Sequence, residues 1–486
     1  AAPVLILSVL AVGLFYLFLR EFFAPGRALG LTALMATSLF FVTYGRFAWN
    51  PNLIPFFIIA LAFCLLRLSS PRTSSRGKGW FLIGAAASLA VLGQAHFLAF
   101  VAAPVIAVGY LLWTRPRIPW RFWLAAAAVF ALFQVPLIIN DYKTGGENTK
   151  AFLAMALGKS GDDSKTWLEK SVRAAGNQVK YYWLVNTGDQ RAELPTIRGR
   201  DIRCDRSCRD GLPAGAAAGL LLAAGAAAWL ILWRRETESR RRNFLRLVLL
   251  WYGTVWLLFL PLAYSSPPRF FLLNAPVNIV LSGLVLEVIA RGAARRGAFW
   301  RRLPTGLLAI FVLSNLFFTL GYFRELSRAG TDKNLRIATD YVLKEKTRVT
   351  LGQMEDLLDE IAAVYRQNKE PIFLHAQGEY KRAFWERLDY RGLPRFNAPK
   401  DLSKAYRRGN YFLISRTQSD VEKSFAKILR NADILRQKTF GTLTLYQLVP
   451  KESVIVPGEP EPVRRSRDPK FSSRAQVRYL WRQIWD

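Results

Sequence analysis

The chain has 486 residues, 52% of them hydrophobic and 13% aromatic, and a formal charge of +32. In a soluble chain that charge points first to nucleic acid, but the apolar residues are clumped and the basic ones lie between the clumps, which argues for a polytopic membrane protein with no nucleic-acid partner. With two histidines in all, a histidine-built metal cage is not expected either.

Windows of about 19 residues place ten spans, at 3–19, 28–44, 52–68, 80–95, 97–113, 120–139, 213–233, 244–264, 271–290 and 304–322. Each approaches the roughly 20 residues that cross a bilayer core. Alternate short connections hold nearly all the cations: Arg20 and Arg27, then Arg67 to Lys78, Arg115 to Arg121, Arg234 to Arg246 and Arg291 to Arg302. The opposite short connections hold only Arg46 and Arg269. Under the positive-inside rule the arginine-rich side is cytoplasmic. The corner 44–52, the segment 140–212 and everything after Tyr322 then lie outside a cell membrane crossed many times. No cleavable signal segment is recognisable. The first span starts on the outside, so the chain is expected to lack its true N-terminus, with an earlier helix and outer loop before residue 1.

In chain order, the first three spans are joined by turns too short for a domain. The corner between the second and third reads Tyr-Gly-Arg-Phe-Ala-Trp-Asn-Pro-Asn (44–52). The hairpin between the fourth and fifth reads Gly-Gln-Ala-His (93–96) and sets Gln94 and His96 at its outer end. Residues 140–212 are expected to form an ordered external lid with a helical patch at 165–179, since structureless loops of that length are uncommon. Within it Cys204 and Cys208 either form a local disulfide or remain free thiols. The Gly-, Ala- and Leu-rich span at 213–233 is expected to be buried among its neighbours. A second outer corner, Ser-Ser-Pro-Pro-Arg-Phe, occupies 265–270.

From Arg324 the pattern becomes soluble. Helices are expected at 335–346, 352–366 and 421–431 and strands at 372–375, 411–415 and 443–449, which together make a small α/β domain. The organisation is therefore a membrane domain over 1–322, an extracytoplasmic α/β domain over 323–450 and a basic tail over 451–486. In that tail Val477, Leu480, Trp481, Ile484 and Trp485 share a helical face, so it is either an interfacial helix or disordered.

The chain carries no phosphate-binding glycine loop, zincin motif, nucleophile elbow or calcium loop. What remains are polar residues at the outer ends of spans. Arg46 and Arg269 carry guanidinium groups suited to phosphate; the bland alternative is snorkelling to lipid headgroups. Trp49 is a substrate contact or an interfacial anchor. Asn50, before Pro51, is read as a helix N-cap, with Asn52 beside it. Gln94, Asn148 and Asn274 add polar groups to the same end. His96 and Asp141 are the candidate acid–base residues, and a buried, hydrogen-bonded histidine is the bland reading of the first. Asp162 and Asp163 are read as solvated, and His375, at a strand end, as structural.

The corner at 44–52, the Gly-Gln-Ala-His hairpin, the segment Asn-Asp-Tyr-x-Thr-Gly-Gly-Glu-Asn-Thr and the corner Pro-Pro-Arg-Phe-Phe-Leu-Leu-x-x-Pro resemble those of the bacterial GT-C membrane glycosyltransferases. The nearest groups are the protein O-mannosyltransferase and aminoarabinose-transferase families. The resemblance runs over about 1–450 and implies transfer of a sugar from a polyprenyl-phosphate donor to a lipid, glycan or protein acceptor on the outer face. It places Arg46 and residues 50–52 near the sugar, Arg269 at the lipid phosphate and His96 in the polar hairpin. Relatives keep their catalytic carboxylate in the first outer loop, which is expected to lie outside this chain. The leaving phosphate is then held by arginines or by a divalent metal. The competing classes are a lipid-sugar transporter or flippase, for which the chain lacks the repeated halves expected, and a non-catalytic cell-envelope scaffold.

Overall fold

A computed structural model describes residues 2–47, 49–147, 149–150, 153, 165–199, 201–264, 266–293, 298–331, 351–376, 378–396, 399, 401–415, 421–422, 425–441 and 443–460. The chain divides into two compact units, Ala1–Leu320 and Gly321–Asp486. Asn148, Asp162, Asp163, the helix expected at 335–346 and the amphipathic tail lie outside the described residues.

The first unit is helical: α1 Ala2–Leu19, α2 Pro25–Thr37, α3 Leu39–Gly45, α4 Ile54–Ser69, α5 Ser75–Ala95, α6 Phe97–Thr114, α7 Trp120–Lys143, α8 Trp167–Thr187, α9 Arg206–Arg235, α10 Ser239–Phe259, α11 Ala275–Ala293 and the start of α12, Ala298–Thr331. Among the described residues eight helices are long and apolar enough to cross a membrane, or nine if the bent pair α2 and α3 counts as one span. The ten expected spans are reduced at α10, whose first two turns hold Arg240, Arg241, Arg242 and Arg246 and dilute its apolar length. The chain is a multi-pass membrane protein.

The 57° bend between α2 and α3 has a cause. Ser38 is extended, and its hydroxyl donates to the Val185 carbonyl at 2.9 Å. The freed Leu39 N–H donates to Asn315 Oδ1 at 3.2 Å. A backbone break inside a membrane persists only where neighbours take up such groups.

At the arginine-rich end, buried carboxylates bind several helices together. Glu21 meets Arg67 and Arg240 at 3.3 and 2.7 Å. Glu287 meets Arg27, Arg241 and Arg291 at 3.0, 3.2 and 2.9 Å, and Glu236 meets Arg241 and Arg291 at 3.2 and 3.1 Å. Five of the cations that mark this end, Arg27, Arg67, Arg240, Arg241 and Arg291, are therefore structural.

The helix α8 departs from the expected lid. It starts with a capping box, Thr166 and Glu169 bonding reciprocally, and ends at Gly188 with φ +78°. Its second half is buried: Tyr182 shares a 2.7 Å hydrogen bond with Ser282, whose hydroxyl donates to Asn186 at 2.8 Å, and Ser314 donates to the Thr187 carbonyl at 2.8 Å. Gln178, Tyr182 and Asn186 form a polar stripe at helical spacing that faces Asn274, Asn278 and Ser282. Polar pairing places this stretch in the core. Beyond it the hairpin of β1 Thr196–Arg198 and β2 Asp201–Arg203 precedes a Cys204–Cys208 disulfide.

The second unit is α/β. Its five-stranded sheet has the order β4-β3-β6-β8-β7, built from β3 Ile372–Ala376, β4 Arg395–Phe396, β6 Asn410–Ser415, β7 Ala432–Phe440 and β8 Leu443–Pro450. A small pair, β5 Ala405–Tyr406 and β9 Ile455–Val456, stands apart. β3 runs parallel to both β4 and β6, and β8 antiparallel to β6 and β7. Helices α13 Leu351–Asn368 and α14 Gly378–Tyr390 cover one face, with Leu357, Ile361, Phe384 and Leu388 packed on Ile372, Leu374 and Phe412. Leu402, Val421 and Ile428 cover the other, on Phe373, Tyr411 and Leu413. The strands expected at 372–375, 411–415 and 443–449 are present, and within the helix expected at 421–431 the described residues are helical at 421–422 and in α15 Ala426–Asn431.

Candidate active site

Three corners at one end of the first unit converge. The first follows α3, where residues 50–53 form a 3-10 helix. Asn50 is not its N-cap as expected: Trp49 holds that position, no side chain caps the turn, and Pro51 supplies the first-turn geometry. Asn52 is buried and donates through Nδ2 to the Phe47 carbonyl at 2.8 Å, folding the corner on itself. Its Oδ1, also buried, has no partner among the described residues. Phe47 stacks on Trp49 with centroids 6.0 Å apart.

The second corner is the 3-10 helix Pro268–Leu273. Its Arg269 guanidinium lies 5.1 Å from the Trp49 ring centroid and 5.5 Å from that of Phe270. The Trp49 contact is a cation–π geometry. Phe270 in turn meets His96 edge-on at 4.6 Å and Phe97 at 5.4 Å.

The third corner is the hairpin between α5 and α6. His96 breaks the helix there in an extended conformation, and its Nδ1 accepts the Leu98 N–H at 3.1 Å, capping α6. Burial, and then the nearby Arg269 cation, push its imidazole down to about 4. His96 is thus a neutral cap next to a cation, and its Nδ1 is occupied.

Trp49, His96 and Arg269 are the predicted residues that the fold brings together. Arg46 is exposed on the rim of a mainly apolar groove of about 390 Å³ that also involves Val9, Tyr44, Asn52 and Leu272. Gln94 turns elsewhere and donates to the Phe133 carbonyl, tying α5 to α7. Asp141 closes a local turn, accepting the Thr149 N–H at 3.1 Å and the Thr149 hydroxyl. Asn274 is fully buried and donates to Gln178 Oε1 at 3.0 Å. Among the described residues no three His, Cys, Asp or Glu side chains group as metal ligands. Sequence reasoning missed the α8 stripe; its signal is the spacing Gln-x3-Tyr-x3-Asn, matched by Asn-x3-Asn-x3-Ser.

Residues 1–139 match the family described as dolichyl-phosphate-mannose-protein mannosyltransferase. Over those residues the resemblance to membrane glycosyltransferases is borne out. That match takes in two of the three corners, with Trp49 and His96. Similar solved structures include ArnT from Cupriavidus metallidurans bound to undecaprenyl phosphate, at 12% identity and a TM-score of 0.48, covering 93% of this chain and 84% of that one. The same protein in the apo state is also similar, at 12% identity and a TM-score of 0.49, covering 94% of this chain and 84% of that one. No curated protein matches the chain.

Proposed function

We propose that this chain is a glycosyltransferase that takes a sugar from a polyprenyl-phosphate donor on the outer face of the cytoplasmic membrane, with its α/β unit on that same side. The reading rests on one observation above the others: Arg269, one of the two cations expected in the short outer corners, is stacked on Trp49 and set beside His96. A guanidinium fixed in this way offers paired N–H donors to a phosphate.

The reaction is a displacement at the anomeric carbon. An acceptor hydroxyl loses its proton to a base and forms the new glycosidic bond, while the bond to the phosphate oxygen breaks and polyprenyl phosphate departs with its electron pair. Arg269 stabilises the charge gathering on that oxygen. Arg46, at the rim of the apolar groove, is a second cation on the same side, and Trp49 offers a flat apolar face to a sugar ring. Neither His96 nor Asp141 is assigned as the base, because His96 Nδ1 caps a helix and Asp141 is engaged by Thr149.

Arg269→Ala tests the phosphate contact. In intact chain embedded in nanodiscs, labelled polyprenyl phosphate is expected to bind about tenfold to a hundredfold more weakly, as for a lost hydrogen bond to a charged group. Unchanged binding by a folded variant would make Arg269 a lipid anchor and remove the proposal's main support.

A further inference from the structure

The four arginines in the first two turns of α10 have different surroundings. Arg240 and Arg241 are neutralised by Glu21, Glu236 and Glu287. Arg242 and Arg246, one turn apart, make no ion pair among the described residues and are set against tryptophans instead. Arg242 lies 5.2 Å from the ring centroid of Trp233, near the end of α9. Arg246 lies 5.3 Å from that of Trp113, near the end of α6, and 6.0 Å from that of Trp233.

These groups are held in place. Trp113 and Trp229 lie 5.9 and 5.5 Å from Trp233, and Trp229 Nε1 donates to the Leu245 carbonyl at 2.9 Å, tying α9 to α10. Arg246 donates from Nη1 to Asn243 Oδ1 at 2.9 Å. The cluster therefore fixes two cations without a carboxylate to balance them. The surface beside it is apolar: Leu112 on α6, Leu230 on α9 and Leu249 on α10, each within a turn of a cluster residue, are 68%, 41% and 41% exposed. On a chain that crosses a membrane such faces meet acyl chains, and the ends of spans lie at headgroup depth, where tryptophan is enriched. The anion that a bilayer provides at that depth is the phosphate of a lipid, and basic sites between helices take such headgroups. A guanidinium that rests a face on an aromatic ring keeps edge N–H groups for the phosphate.

We propose that Arg242, Arg246, Trp113 and Trp233 form a binding site for the headgroup of an anionic phospholipid, whose acyl chains lie along Leu112, Leu230 and Leu249. α6 starts next to His96 and ends at this cluster, so the site stands at the opposite end of the helices from the corner with Arg269 and is independent of the proposed transfer reaction.

The test is native mass spectrometry of the intact chain in a neutral detergent, titrated separately with phosphatidylglycerol and phosphatidylcholine. Wild type is expected to bind phosphatidylglycerol more tightly. A cation near an anionic headgroup is worth about fivefold in affinity, so Arg242→Gln combined with Arg246→Gln should weaken that binding by at least about tenfold. Arg72→Gln combined with Arg76→Gln removes the same charge from exposed positions around the α4–α5 connection, and phosphatidylglycerol affinity should stay within about twofold of wild type. Arg242 is exposed, so Arg242→Gln alone should unfold at the wild-type temperature and still lose about fivefold, which keeps the test open if the double variant does not fold. Equal binding of the two lipids by wild type, equal losses in the two double variants, or affinity unchanged by Arg242→Gln would each overturn the proposal.

Discussion

Asn278 is fully buried in a membrane helix, and neither end of its amide has a partner among the described residues. Four residues before it Asn274 bonds Gln178, and four residues after it Ser282 bonds Tyr182 and Asn186. An amide in such a place costs about 1–3 kcal/mol. Asn278→Leu, close in volume and without polar atoms, should therefore raise the thermal unfolding midpoint of the intact protein; a lower midpoint would mean that the folded state satisfies the amide. His375 gives a pH dependence. Burial, reinforced by Lys381 and opposed by Asp401, lowers its imidazole to about 4, so between the ordinary value near 6.5 and that point the unfolded chain binds the proton and the folded chain does not. Stability should fall as pH drops through that window, and His375→Phe should flatten the fall in acid-unfolding curves. Equal slopes for both proteins would remove His375 from the acid response.

At the scale of elements, α9 carries a sharper test. A Cβ added at Gly211 or Gly215 would lie 2.1 Å from the carbonyl oxygens of Arg191 and Glu193, whereas at Gly219 it would meet nothing within 4 Å. The 191–193 strand of chain thus rests directly on α9, as small residues permit. Gly215→Ala should destabilise by about 1–3 kcal/mol and Gly219→Ala should be tolerated; equal thermal midpoints would contradict that close packing. The elements differ in how readable they are. Most spans are visible because a bilayer demands long apolar runs, and β3, β6 and β8 because they are buried enough to be apolar. The burial of α8 is not visible, since polar pairs hold it in the bundle and its composition resembles that of a surface helix. β7 is also missed: between Ala432 and Phe440 it is an exposed edge, and its polar run resembles a loop.

For the whole molecule, charge placement and apolar runs in the sequence are enough to predict a helical multi-pass membrane protein with an α/β unit in its C-terminal part. They single out Arg269, Trp49 and His96, because a polar residue at a span end is conspicuous against its apolar flanks. They do not separate Asp141 and Gln94 from that group, since only the fold shows that Asp141 is spent on Thr149 and Gln94 on Phe133. Nor do they reveal the carboxylates Glu21, Glu236 and Glu287, which take up five of the cations that read as a topology signal. The most direct measurement offers the intact chain, in bilayers with a cell-envelope lipid extract, a series of polyprenyl-phosphate-linked sugars labelled in the sugar. For one of them the label should leave the donor and polyprenyl phosphate should appear with wild type and not with Arg269→Ala. Donors that all remain intact, or that cross the bilayer unchanged, would contradict a transferase and favour a scaffold or a flippase.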